Sequence, residues 1–259
     1  MDILPENSSA KDLFFRVMRG GSVEDVWTLV RHGANINWRE DTGDGFTGLL
    51  VAVDRRKKKL LEFLLSKGAD ANLADKHGVT PLMFACGLGL PAMVEKLCQA
   101  PGINLNTGEN EGYTALMIAV SGNKPQCVEK FRAIAGAGID WNAGKDGYSA
   151  VMFAVAMGHV GVVEALLPIS NLDLSLTGNN GCSVAHIAVK SDKENSLRIL
   201  QLLCQDGRVN WNVNTGPGNP LLMALERNKV EMFRTLVRTP GVNTDITDPQ
   251  GRSLAQLVM

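Results

Sequence analysis

The sequence predicts an all-α solenoid of stacked helix-turn-helix units with short β-hairpin loops. Three observations predict it. A glycine-led motif recurs at spacings of 33, 34, 35, 34, 36 and 34 residues along the 259-residue chain. A period of that size marks a stack of supersecondary units. After each motif, apolar pairs return one helical turn later, and most units close with a short extended piece ending on Asn or Asp. The units run roughly over 8-40, 41-74, 75-108, 109-143, 144-177, 178-213 and 214-247 in a single array, with a partial capping helix over 248-259.

The motif opens at Gly45 (GFTGLLVA), Gly78 (GVTPLMFA), Gly112 (GYTALMIA), Gly147 (GYSAVMFA) and Gly181 (GCSVAHIA). Pro217 holds the glycine position in PGNPLLMA, and a partial copy, GRSLAQLV, begins at Gly251. The Thr or Ser that follows is expected to cap a helix, since its hydroxyl accepts from a free backbone N–H. Pro81 and Pro220 suit a first turn, where a missing N–H costs nothing. Seven residues after the anchors stand Ala52, Ala85, Ala119, Ala154, Ala188, Ala224 and finally Val258. A side chain as small as alanine lets two helices approach closely.

The second helix shows i, i+4 pairing: Leu60–Leu61 with Leu64–Leu65, Met93–Val94 with Leu97–Cys98, Val162–Val163 with Leu166–Leu167, Met232–Phe233 with Leu236–Val237. Pro91 and Pro125 mark where it begins, and Gly33, Gly68, Gly138, Gly102 and Gly241 mark where it closes. The extended pieces GANIN, GADAN, GINLN, GIDWN, RVNWN and GVNTD end on Asn37, Asn72, Asn106, Asn142, Asn212 and Asp245. A turn rich in Asp, Gly, Asn and Lys leads to the next anchor.

Composition narrows the function. With 45% apolar residues a sizeable core is available, and a net charge of -1 gives no global attraction to nucleic acid or an anionic membrane. No apolar run approaches the ~20 residues that span a bilayer. The start, with Asp2, Pro5 and Glu6, does not read as a signal peptide. Cys86, Cys98, Cys127, Cys182 and Cys204 are odd in number and show no CxxC spacing, which argues against a disulfide framework or a zinc site. A reducing, intracellular setting is expected: cytoplasmic, with the nucleus open. No HExxH, GxSxG, GxxxxGK[ST] or GxGxxG occurs. No enzyme, cofactor or metal is expected, nor any partner but another protein, bound by a monomer.

GVTPLMFA, GHVGVVEALL and LLSKGADAN resemble the ankyrin repeat, and the resemblance runs from about Ala10 to Met259. The first unit departs from the motif over its first helix, Lys11 to Met18, as a terminal cap does. The family's usual His survives only as His186, with Met83, Met117 and Met152 in its place elsewhere, which implies altered hydrogen bonding at those turns. Repeat six carries a longer helix–helix turn, Ser191 to Ser196. The last copy stops inside its first helix, as a cap or as part of something longer.

The resemblance implies a protein-interaction scaffold or adaptor, binding its partner on the concave surface of turn tips and first-helix ends. The residues there are Phe46, Lys76, His77, Glu111, Tyr113, Lys145, Asp146, Tyr148 and Met157. Tyrosine is a favoured interface anchor. Phe46, Tyr113 and Tyr148 either form the centre of the partner site or pack sideways on neighbouring turns. Trp141 and Trp211 are expected between repeats as core, and Trp38, one place later, as exposed.

The run Arg55, Arg56, Lys57, Lys58 and Lys59 falls where a second helix should begin, and cations there oppose the helix dipole. It reads as a solvated turn partly offset by Asp54 and Glu62, as a nuclear import signal, or as an anion site. ANINWREDTGDGFTGLL is similar to the start of the array in the oligoadenylate-activated ribonuclease family, which implies an alternative: a sensor for a phosphate-rich ligand near Phe46, Trp38 and the basic run. A lysine of that pattern is Asp75 here. The ankyrin resemblance also implies that Asn72, and secondarily Asn37, are substrates of an asparaginyl hydroxylase.

Overall fold

The computed structural model describes residues 20–41, 43–134 and 138–258. The first helix expected over Lys11 to Met18 falls outside them. The chain divides into two compact units, Met1–Asp140 and Trp141–Met259.

The first unit holds α1 (Val23–Arg31), then three helix pairs: α2 (Gly48–Asp54) with α3 (Lys58–Ser66), α4 (Pro81–Leu88) with α5 (Pro91–Cys98), and α6 (Ala115–Ser121) with α7 (Pro125–Ile134). First helices pack on first helices, α2 on α4 and α4 on α6, and second helices likewise, α3 on α5 and α5 on α7. The periodic alanines make this spacing possible: Ala52, Ala85 and Ala119 are fully buried. The expected caps form at Thr47, Thr80 and Thr114, each hydroxyl accepting from the third N–H onward at 3.3 Å. Met83 stands in for the missing histidine, its sulfur accepting from the Thr80 amide at 3.5 Å.

The second unit holds a two-residue hairpin, β1 (Gly144–Lys145) and β2 (Tyr148–Ser149), and then α8 (Ala150–Met157), α9 (Val160–Leu166), α10 (Val184–Lys190), α11 (Ser196–Asp206), α12 (Pro220–Glu226), α13 (Val230–Val237) and α14 (Leu254–Val258). The packing repeats: α10 lies between α8 and α12, and α11 between α9 and α13. Trp141 and Trp211 are buried, as expected of core residues between repeats. The other hairpins are reduced to single bridges, such as Arg39 with Thr47 and Thr177 with Ser183. Ser149 departs from the capping pattern. It sits at the N-cap of α8 without a capping bond, and its buried Oγ has no hydrogen-bond partner.

Two of the anchor glycines, Gly78 and Gly147, are fixed by two constraints at once. Gly78 has φ +80°, and a Cβ there would lie 2.9 Å from the backbone nitrogen of Asn110 on the next turn. Gly147 repeats the arrangement in the second unit, at φ +79° and 2.6 Å from the nitrogen of Asn179. A side chain is excluded by backbone conformation and by the neighbouring turn together.

Candidate functional site

The extended pieces are tied to one another by their asparagines. The Asn72 amide donates to Gly102 O at 2.9 Å and accepts from the Asn104 N–H at 2.7 Å. Asn106 makes the same two bonds to Gly138 and Asp140, and Asn37 accepts from the Asp70 N–H at 2.8 Å. In the second unit Asn142 bridges to Asn171 and Asp173, and Asn212 to Gly241 and Asn243. The candidate modification residues Asn72 and Asn37 are thus structural bridges between successive repeats.

Ser175 occupies the asparagine position in the fifth repeat, and its side chain only reaches Asp173. Arg208, from the following repeat, replaces the bridge. Its guanidinium donates to the carbonyls of Ile169, Leu172 and Leu167, and it holds Asp206 through Nε at 2.7 Å and Nη2 at 2.9 Å. The hydrogen bond from Arg208 keeps the Asp206 carboxyl below its usual range. His186 plays a related part: Nδ1 accepts from the Ser183 N–H at 3.1 Å, so Nε2 donates to Gly218 O at 2.8 Å. It is a fully buried strut.

With these residues committed to the scaffold, the turn tips and first-helix ends remain. In the first unit the tips are stacked by backbone bonds, Lys76 N to Asp44 O at 2.8 Å and Asn110 N to His77 O at 3.0 Å. The exposed Lys76 ammonium lies along the preceding turn, donating to the carbonyls of Gly43 at 2.8 Å and Asp41 at 3.2 Å. His77 stands exposed, 3.6 Å from Asp44. Phe46 is half-buried, its ring edge-on to Phe84 at 5.6 Å between centroids. Tyr113 is half-buried and Glu111 exposed. Glu109, absent from the sequence reading, shapes that turn by accepting from the Glu111 and Tyr113 N–H groups at 2.8 and 2.9 Å. Asp75 does the same for His77 and Val79, both at 2.8 Å. An acid two residues before the turn was the available signal.

The basic run is exposed throughout. Arg55 meets Asp54 at 3.6 Å and Lys58 meets Glu62 at 4.0 Å. Arg56, Lys57 and Lys59 make no ion pair among the described residues. Lys57 sits at the N-cap of α3 with no side-chain cap. Phe46 precedes α2 and Arg55 follows it, so the seven-residue helix separates them by about 10 Å. Trp38 is half-buried, less open than the sequence suggested, and lies at the hairpin end.

In the second unit the hairpin pairs Lys145 with Tyr148, both half-buried, and sets Asp146 exposed at φ +54°. Asn180 Nδ2 donates to the Tyr148 hydroxyl at 2.9 Å, and the ring leans on Phe153 at 5.8 Å. Tyr148 borders a hollow of about 210 Å³ with Cys182, Ile187 and Lys190. A neighbouring hollow of about 410 Å³ shares Cys182 and Lys190 and adds Pro217, Met223 and Arg227. Met157, at the end of α8, is 47% exposed. Lys190 was not singled out from sequence; nothing in the repeat pattern distinguishes it. The cysteines are all free thiols, and burial pushes Cys98 up to about 12.

Stacked helical hairpins with polar turns, and a surface of side chains left over from the scaffold, define a repeat protein of the interaction class. The family model for ankyrin repeats, in three copies, matches residues 13–108 and 102–177, well over half of the 259 residues. The chain belongs to the ankyrin-repeat family. It is 36% identical over 77 residues to the human 2-5A-dependent ribonuclease, covering 30% of this chain and 10% of that protein. It is 42% identical over 60 residues to ankyrin repeat and SOCS box protein 6 of Pongo abelii, covering 23% and 14%. The chain therefore spans only a small part of the curated relatives it matches. Among solved structures, the ankyrin repeat domain of Bcl-3 has a TM-score of 0.71 at 24% identity, covering 86% of this chain and 97% of that one. The ankyrin repeat domain of human ASB11 has a TM-score of 0.61 at 22% identity, covering 82% and 91%. At these identities the two structures speak for the fold alone. Among the described residues no helix is long and apolar enough to cross a membrane.

Proposed function

We propose that this chain is an intracellular protein-binding scaffold or adaptor that engages its partner through turn tips and first-helix ends. Ankyrin repeat domains are in general protein–protein interaction modules, and the fold is typically non-catalytic. The observation that carries the reading is the pair of hollows on the second unit, where half-buried Tyr148 and the edges of the buried Ile187 and Met223 lie beside the exposed cation Lys190. Aromatic and apolar anchors beside charge are the composition of interface centres. Phe46, His77, Glu111 and Tyr113 are the corresponding residues of the first unit, and Lys145, Asp146 and Met157 complete the second.

The test is affinity capture from native lysate with wild type, Phe46→Ala/Tyr113→Ala and Tyr148→Ala/Met157→Ala, after matching their circular dichroism. Proteins lost from one variant but retained by wild type identify the client and the unit it uses. Identical captures with all three would reject these residues as the partner site.

A second reading rests on Arg56, Lys57 and Lys59, exposed and without ion pairs at the uncapped start of α3. It makes the basic turn an anion sensor, and one relative is named for its dependence on 2-5A. Calorimetric titration with tripolyphosphate checks it: heat abolished by Lys57→Gln/Lys59→Gln supports the reading, and no heat with wild type sinks it. The same turn would serve equally as a nuclear import signal.

A further inference from the structure

Three hollows follow one another along the turn tips and first-helix ends of the second unit. The one beside Tyr148 and Ile187 shares Cys182 and Lys190 with the next. That one shares Pro217, Met223 and Glu226 with a third, of about 740 Å³, which reaches Asp245 and Ile246. The third opens where two turn tips are not tied. In the first unit the N–H two residues before an anchor donates to the carbonyl just ahead of the preceding anchor, Lys76 to Asp44 and Asn110 to His77. In the second unit the Thr215 hydroxyl ties its tip to the Gly181 carbonyl at 2.6 Å. Pro249 stands two residues before Gly251 and has no N–H to give Gly216. Both tips wall the opening, Asn214 and Gly218 on one side, Asp245 and Pro249 on the other.

Charge changes sign along this groove. Among the described residues, exposed Lys190 is the one charged side chain in the wall of the first hollow. The middle hollow has Lys190 and Arg227 with Glu226. The third has no cation in its wall, and Glu226 and Asp245 stand exposed there. Its other acid, Asp248, is taken up by Arg252 at 2.6 Å. Lys190, Arg227, Glu226 and Asp245 make no ion pair among the described residues. Each exposed charge adds little affinity by itself, but their order fixes how a bound segment lies.

We propose that the groove binds an extended segment of a partner protein in one register. An aromatic or aliphatic residue fills the Tyr148 hollow, an acidic residue meets Lys190 and Arg227, and an arginine or lysine meets Glu226 and Asp245. This assignment rests on the turn-tip surface proposed above and specifies the order of charges its partner carries. Packed helices lie about 10 Å apart, and an extended chain rises about 3.3 Å per residue. Successive hollows are therefore about three residues apart, and the segment reads apolar, two residues, acid, two residues, base.

The test uses the full chain and two fluorescein-labelled peptides with glycine and serine at the remaining positions. One carries Phe, Asp and Arg at three-residue intervals; the other has Asp and Arg exchanged. By fluorescence anisotropy the first binds about tenfold more tightly, and the difference shrinks as salt rises. Lys190→Glu with Asp245→Lys, both at exposed positions and checked by circular dichroism, reverses the preference. Tyr148→Ala weakens both peptides alike. Equal binding of the two peptides, weakened by Tyr148→Ala, overturns the ordered groove and leaves the turn-tip surface standing. Binding of neither peptide, or a preference that the double exchange leaves unchanged, also overturns it, and capture from lysate then decides the turn-tip surface separately.

Discussion

Replacing Arg208 by methionine should weaken the second unit. The guanidinium satisfies carbonyls of Leu167, Ile169 and Leu172 from a repeat 36 to 41 positions away, and neutralises an Asp206 side chain that is only 11% exposed. A hydrogen bond to a charged group contributes about 1.5–3 kcal/mol, but Arg208 is itself 34% exposed, which screens the ion pair. Methionine keeps the stem and removes the donors, so a loss of about 3 kcal/mol is expected, or roughly 6–12 °C in Tm. Because the Asp206 carboxyl is held below its usual value, the pair stabilises above that value and stops contributing as pH falls through the depressed one. The gap between wild type and Arg208→Met should therefore be full at neutral pH and narrow in acid to the part contributed by the carbonyl bonds. Adding Ser175→Asn, which restores the bridging residue of the other repeats, should recover about 1 kcal/mol. Urea unfolding followed by far-UV circular dichroism measures all of this, with exposed Arg238→Ala as a control. A loss within 0.5 kcal/mol of that control would refute the bridge.

Further outcomes follow from the caps and the asparagine bridges. Thr80→Ala removes a helix cap and should cost about 1 kcal/mol, whereas Ser149→Ala removes a buried hydroxyl without a partner and should be neutral or stabilising in thermal denaturation. If the two cost the same, Ser149 is capping α8 after all. Incubation with an asparaginyl hydroxylase should add one oxygen to Asn72 before Asn37, read by peptide mass spectrometry; because both ends of the Asn72 amide are bonded, Asn72→Ala should separately cost about 1–2 kcal/mol. Oxygen on neither residue would remove them as substrates.

The sequence by itself determined the array. Anchors such as Gly78 and Gly147, capping residues such as Thr80, and the alanines all act within one repeat or on its immediate neighbour, so a fixed period exposes them. The buried tryptophans and the asparagine termini were legible for the same reason. Tertiary structure alone decided what breaks the period. Phe46 lies edge-on to Phe84, Lys76 bonds to carbonyls of the neighbouring turn, and Ser149 has a Thr-like position but no cap. Arg208 takes over for the asparagine that Ser175 lacks. Each depends on which side chain of another repeat comes within a few ångströms, and a repeating pattern carries no information about its own exceptions.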